Sequence, residues 1–290
     1  MRLALAASLL CLSSSAWAQI PDADPPGGDT KAAAPAPMIP RCDQPLPTLR
    51  APYPFAAGEL LEFSLDAMGA EAGKMTMQVQ RRKDGSLPVE VKVQTNTFFS
   101  KVRRVNATAT SYLNAKTLRP SRYTEDATEN EVHRFVDVRF NPKSRGVRVD
   151  YTLKGKPEAP RDLTYEHDGL DIAGAMYLLR QLPMKEGQSL CFDVYGVRRM
   201  WRMSATVLKR EHVSLPIGEF EAWHLSGVAV RLDRPASRRE VHLWITDDER
   251  RLPLAAVGTI DLGAVRATLS SYSRPGEKTQ QAEGKEKLKW

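Results

Sequence analysis

The residues that could do chemistry are few and fall in short stretches. In "LWITDDERRLPL" (243–254), Asp247, Asp248 and Glu249 stand directly before Arg250 and Arg251. Carboxylates beside guanidiniums have the composition of a small acid–base site. Such a site needs a desolvated cleft that drives two pKa values apart. Nothing around this group supplies one. Val241, Leu243 and Ile245 alternate with His242, Trp244 and Thr246 up to the charges, and "PLAAVGTI" and "GAVRATLSSY" resume strand-like character after them. The charged group reads as a solvated connection between two strands.

Other reactive constellations are missing from the sequence. It holds no G-x-S-x-G, no P-loop, no G-x-G-x-x-G, no H-E-x-x-H and no C-x-x-C pair. His133, His167, His212, His224 and His242 never fall at local metal-ligand spacing. Strands could gather His212, His224 and His242, but scattered surface or core histidines are the commoner outcome. Asn106-Ala107-Thr108 matches a glycosylation acceptor, a triplet that also arises by chance. The expectation is therefore no catalytic residue, no metal and no cofactor.

The elements that would position any site are easier to read. "MRLALAASLLCLSSSAWAQ" has Arg2, an apolar run from Leu3 to Leu12, and Ala16-Trp17-Ala18, the pattern of a secretory signal peptide (1–18) cut after Ala18. That run is too short to span a bilayer. Leu10 before Cys11 is the wrong residue for lipoprotein processing. No later stretch is long enough to anchor the chain, so no transmembrane segment is expected after cleavage, and the compartment is periplasmic or extracellular. Lys+Arg 42 against Asp+Glu 35 gives a formal charge of +7. The cations are scattered, which argues against a nucleic-acid partner. Once the signal is removed, Cys42 and Cys191 remain. They are either two unrelated buried thiols or one disulfide, and export favours the disulfide.

Residues 19–52 are dense in Pro, Ala and Gly and read as a flexible leader. Residues 273–290 read as a charged, disordered tail. Between them, 53–272 alternates. Leu61, Phe63 and Leu65 share one face, as do Met75, Met77 and Val79, then Val89, Val91 and Val93. Val136, Val138 and Phe140 repeat the pattern, followed by Val147, Val149, Tyr151 and Leu153, and by Trp201, Met203, Ala205 and Val207. Asp84-Gly85 marks a hairpin turn. Period two with polar opposite faces means antiparallel strands wet on one side. The fold class is mainly β: a long curved antiparallel sheet forming an open or partly closed barrel. One stretch departs from period two. Ile172, Ala175, Met176, Leu179 and Leu182 are spaced as an amphipathic helix, with Asp168 as N-cap, Asp171 in its first turn and Pro183 ending it. That helix covers the concave face, with Ile172, Met176 and Leu179 packed into it as a fixed plug or a movable lid.

In order and spacing, Gly58-Glu59-Leu60, "GKMTMQV", "LRPSRY" (118–123), Asp171, "MYLLRQLPMKEG", "VSLPIGEFEAWHL", "LWITDDERRLPLAAVG" and "DLGAVRATLSSY" resemble the bacterial envelope family known as domain of unknown function 3108 (DUF 3108). The resemblance implies a secreted or periplasmic β-rich domain and transfers no catalytic residue. The leader that carries Cys42 is not part of it.

Two features invite physical readings. Arg180, near the helix end, can hydrogen-bond carbonyls there or pair with a strand carboxylate. Trp201, Trp223 and Trp244 can form a cross-strand cluster, either as plain core or as the wall of an apolar pocket. The leading functional reading is a non-enzymatic periplasmic binding or carrier module for a lipid or other amphiphile. The alternative is a structural or assembly factor that binds an envelope protein through a sheet edge or its tails. A hydrolase with a site assembled from distant strands stands third. The first expectation is directly measurable: intact mass of the exported protein should show a chain beginning at Gln19 without lipid, and a diacylglyceryl adduct on Cys11 would contradict it.

Overall fold

The computed structural model describes residues 38–47, 49, 52–196, 198–260, 263–277 and 279–281. The signal segment, most of the leader and the end of the tail lie outside them. In chain order the strands begin with β1 (Leu60–Ala67), β2 (Ala70–Val79), β3 (Ser86–Thr95), β4 (Val105–Asn114), β5 (Pro120–Glu129) and β6 (Val132–Asn141). Next come β7 (Gly146–Leu153), β8 (Lys156–Pro157), β9 (Arg161–Thr164) and β10 (Gly169–Asp171). Helix α1 (Ile172–Leu179) follows. Then come β11 (Ser189–Gly196), β12 (Arg199–Leu215), β13 (Gly218–Arg231), β14 (Arg234–Thr246), β15 (Pro253–Ile260), β16 (Gly263–Ser273) and β17 (Gln280–Gln281).

All seventeen strands belong to one sheet. Its centre is β1, which pairs antiparallel with β2 on one side and with β16 on the other. From β2 the sheet runs by successive hairpins to β7, which β8 and β9 flank. From β16 it runs back through β15, β14, β13 and β12 to β11 and β10. The pair β10–β11 is parallel. Parallel neighbours need a crossover, and α1 is that crossover. The edges β9 and β10 are not hydrogen-bonded to each other, so the barrel stays open. It is nevertheless strongly curled, because Val136, Val138 and Val149 of β6 and β7 share one apolar cluster with Tyr195 of β11 and Met200 of β12. The mainly β, curved and partly closed architecture is the one its alternation predicts.

The alternating residues supply the interior. Leu61, Phe63, Met77, Val79, Val89 and Val207 are buried together with Leu225, Ile245 and Leu269 from the far half. The wet face carries ladders of charge across strands instead. Arg122 of β5 holds Asp137 of β6, Arg139 reaches both Asp137 and Asp150, and Arg148 holds Asp162. The hairpin at Asp84-Gly85 has φ of 49° and 73°, the backbone form that two-residue hairpin turns favour.

The helix differs in detail from the sequence expectation. Asp168 does not cap it. Gly169–Asp171 are still extended, paired with Asp193–Tyr195, so the chain turns helical three residues later. Asp171 is the N-cap, with φ −104° and ψ 176°, and its carboxylate accepts the Gly174 N–H at 2.7 Å. The helix ends at Arg180, before Pro183. Ile172 is not in the core but 63% exposed. Ala173, Gly174, Ala175, Tyr177 and Leu178 fill the concave face, with Met176 and Leu179 partly buried against it. The helix is apolar almost all round, so spacing could not say which side turns inward. About 12 Å of helix therefore occupies the barrel interior.

The described part of the leader is tied to the barrel, as the expected disulfide requires. Cys42 is disulfide-bonded to Cys191 of β11, with Cα atoms 5.3 Å apart. Arg202 donates to the Pro40 carbonyl at 2.8 Å, and Leu46 and Leu49 pack on the core. Composition that cannot build a core can still lie on one. Closing a loop of 149 residues stabilises by roughly 4–5 kcal/mol in the chain-entropy model.

These contacts separate two apolar positions of the same helix. Leu178→Ala should lower unfolding stability by about 2–5 kcal/mol, whereas Ile172→Ala should stay within about 0.5 kcal/mol. Denaturant titration of both variants is the check, and equal losses would contradict the assigned inner face.

Candidate functional site

Three charged groups buried in the barrel wall, and one half-buried ring cluster, are the places where chemistry could reside. The first surrounds Arg180, whose side chain is fully buried beside an equally buried Glu59. Two guanidinium nitrogens donate to the two Glu59 oxygens at 2.6 and 3.0 Å. Its Nε donates to the Arg251 carbonyl at 2.9 Å and Nη2 also to that of Arg250 at 3.1 Å. Phe55 and Tyr177 present ring faces to the same cation at 5.1 and 5.0 Å. Burial works against the guanidinium charge, but Glu59 more than compensates, and the Arg180 pKa is held above its ordinary value. Burial and the neighbouring Glu59 charge likewise push the Tyr177 hydroxyl up. All these groups are mutually satisfied, which makes the pair a clamp. Deleting one partner of such a pair costs about 3–5 kcal/mol, because the other charge is left bare.

The second group is Asp171. Besides the Gly174 N–H it accepts the Ser111 hydroxyl at 2.5 Å. Burial raises its pKa to about 6, against the lowering effect of these hydrogen bonds. The third is Asp193, which faces Arg202 across the β11–β12 pair. The Arg202 Nε donates to Oδ1 and its Nη2 to Oδ2, which also accepts the backbone N–H groups of Glu166 and His167 at 2.8 and 3.1 Å. Arg202 also reaches the Glu166 carboxylate at 2.8 Å. Above this knot, the tethered leader encloses a groove of about 440 Å³ lined by Pro40, Arg41, Cys42, Glu166, His167 and Arg202.

The ring cluster gathers two of the three histidines on the far strands. His224 Nε2 lies 3.1 Å from His242 Nδ1, and its ring stacks on Trp244 at 4.3 Å. The Trp244 N–H donates to Glu211. Burial lowers the His224 pKa, against the opposing effect of Glu211. His212 stands apart, between Glu219 and Glu221. Among the described residues no set of three His, Cys, Asp or Glu side chains is arranged to hold a metal.

The remaining sequence candidates do not converge. Trp223 lies opposite Ile245 and Trp244 opposite His224 in the β13–β14 register, so the two indoles point to opposite faces of the sheet. Trp201 lies farther along β12, donating to the Gly196 carbonyl at 3.0 Å beneath Arg239. The three tryptophans are thus not one cluster and wall no common pocket. Asp168 is ion-paired with Arg119 at 2.6 Å. Asp247–Arg251 form the β14–β15 connection. There Asp248 accepts from the Thr246 hydroxyl at 2.6 Å, from the backbone N–H groups of Arg250 and Arg251, and from the Arg250 guanidinium. Burial pushes its carboxyl up, but those bonds outweigh it and hold the pKa below the usual range. Glu59, Ser111, Asp193 and Arg202 escaped the sequence reading. Asp193 and Arg202 carried a signal, being opposite charges at matching distances either side of a hairpin turn. Glu59 and Ser111 carried none, since their partners are distant in the chain.

Residues 62–270 match the family described as protein of unknown function (DUF3108). The chain belongs to the DUF3108 family. No curated protein matches it. Among solved structures, a β-barrel-like protein of domain of unknown function DUF1849 from Brucella abortus is similar, with a TM-score of 0.53 and 11% identity. That alignment covers 77% of this chain and all of the other. A protein with a YmcC-like fold from Bacteroides fragilis aligns at TM-score 0.31 and 10% identity, over 77% of this chain and 98% of its own. A hypothetical protein from Chlamydia trachomatis aligns at 0.32 and 10%, over 79% and 93%. The Brucella likeness concerns the fold alone: the DUF3108 chain shares a barrel-like architecture with a second family of unknown function.

Asp171 generates a pH prediction. Its folded pKa is raised above the ordinary value, so its contribution to stability is full below about pH 4 and is lost as pH rises through about 6. The shift corresponds to about 3 kcal/mol at most. Asp171→Asn keeps the cap acceptor and can donate to Ser111. The stability difference between variant and wild type, from urea unfolding at several pH values, should grow in favour of the variant between pH 4 and 7. Parallel curves would contradict the assignment.

Proposed function

We propose that this protein is a non-enzymatic binding module of the bacterial cell envelope, exported through residues 1–18, that engages a lipid or other amphiphile on its outer surface. The observation that supports this most is the filled interior. Helix α1 is held at its start by Asp171 and just past its end by Arg180, and Tyr177, Leu178 and Leu182 are fully buried. A carrier cavity inside the barrel has no room beside such a plug, so a ligand is met outside. The buried charges support a non-catalytic reading, because each is consumed in fixing backbone or helix rather than poised in a cleft. Among the described residues no helix is long and apolar enough to cross a membrane. The rival reading, strand addition to a sheet edge, fits the geometry less well. The edge β10 has three residues, all buried, and β9 has four, of which Arg161 and Asp162 are charged; both are blunted edges.

Hydrogen exchange across residues 168–183, with and without added phospholipid, tests this reading. Protection equal to that of β1 and β16, unchanged by lipid, is the expected result. Rapid exchange that lipid slows would return the ligand to the interior, and ester or glycan turnover abolished by one carboxylate or His substitution would make the protein an enzyme.

A further inference from the structure

Large apolar side chains left in water are informative when they gather. On this protein three of the most exposed, Met68 (67%), Phe98 (67%) and Val102 (60%), lie on two neighbouring loops at one end of the barrel. Met68 is in the β1–β2 turn. Phe98 and Val102 flank a single turn of 3-10 helix, Phe99–Lys101, in the β3–β4 loop. The loops are fastened together. Phe99 is buried against Ala67 and Ala72, Asn96 N–H donates to the Ala72 carbonyl at 2.8 Å, and the Asn96 side chain donates to the Glu71 carbonyl at 2.6 Å. On the other side, Arg104 N–H donates to the Asn130 side chain at 3.0 Å. Three apolar side chains thus project from a braced platform rather than from slack chain.

Met68 is also in an unfavourable conformation for its type. The turns Asp84-Gly85, Lys154-Gly155 and Met68-Gly69 share one backbone form, with positive φ at both residues. The first two carry polar residues at the leading position, and Asn, Asp or Gly is what such a turn prefers. A methionine at φ 54°, side chain in water, gains nothing for the fold there. The platform is bordered by exposed Lys101 and Arg104. At the same end, Lys154, Lys156 and Arg234, in and beside the turns between β7 and β8 and between β13 and β14, stand against Glu71, Glu131 and Asp233. Apolar tips with an excess of cations around them are the composition that partitions into an anionic lipid interface.

We propose that the barrel end formed by the β1–β2 turn and the β3–β4 loop is a docking face for an anionic phospholipid surface, with Met68, Phe98 and Val102 entering the headgroup region and Lys101 and Arg104 meeting the lipid charge. This rests on the surface-binding reading above and names its place and its ligand. The Glu59–Arg180 clamp lies at the opposite end, beside the β14–β15 connection, so docking leaves it facing away from the membrane.

Vesicle co-sedimentation of the mature chain tests the proposal, using phosphatidylcholine alone and phosphatidylcholine doped with phosphatidylglycerol. The wild type should sediment with the doped vesicles, and less so as salt rises. Met68→Asn, Phe98→Ser and Val102→Ser combined should weaken partitioning at least about tenfold while leaving the thermal transition in place, since all three side chains are exposed. Lys101→Glu with Arg104→Glu should weaken it and flatten the salt dependence. No sedimentation with doped vesicles at low salt would overturn both the docking face and the surface-binding reading. Full sedimentation of the triple variant would overturn the docking face alone and place the surface elsewhere. A dimer in analytical ultracentrifugation that the triple substitution dissolves, without vesicle binding, would overturn the proposal by making the occupant a second copy.

Discussion

Much of this structure depends on the burial of one ion pair. Glu59 precedes β1, the strand on which the two halves of the sheet meet, and Arg180 ends the helix that fills the barrel. Their contact fixes the helix lengthwise, because a guanidinium with two carboxylate and two carbonyl acceptors has a single compatible position. It also ties down the β14–β15 connection through the Arg250 and Arg251 carbonyls. A buried pair of this kind adds little net stability over a well-packed apolar substitute. Its contribution is to position: strand, helix and turn can be buried together only in this arrangement.

Around that clamp, the remaining buried charges divide the same labour. Asp171 sets where the helix begins, and Asp193 with Arg202 sets where the leader crosses β11 and β12. Each of the three buried charged groups, at Glu59, Asp171 and Asp193, is answered by a side chain from a different element. The sheet can therefore remain open at β9 and β10 without being loose, since its ends are joined by side chains and its interior by the helix.

The strands were legible because period two needs only local information. The faces of Leu61, Val79, Val89 and Val138 follow from alternation alone, and so does the reading of a curved, one-side-wet sheet. The disulfide was legible from the expected compartment and the cysteine count. The site residues were less so, for separate reasons. The Glu59–Arg180 contact spans 121 residues of sequence, a distance over which no local pattern operates. Asp168 and Asp171 are both good caps, and only the pairing of Gly169–Asp171 with β11 decides between them. The spacing of Ile172, Ala175, Met176 and Leu179 points to one inner face, but on a helix apolar almost all round it is one stripe among several, and Ala173, Gly174, Tyr177 and Leu178 are the residues that face the barrel. Trp223 and Trp244 were set apart by register, which the sequence does not carry.

The position of β1 has a consequence for the order in which the molecule can be made. A chain is made from its amino end, so β1 emerges early and can pair with β2. Its other edge must wait for β16, far later in the chain. Until then a strand with Leu61, Phe63 and Leu65 stands unpaired on one side, a template for any other extended chain. Contacts so distant in sequence form slowly. The nascent protein therefore passes through a half-sheet stage in which it is most prone to aggregate, and truncating β16 would hold it there.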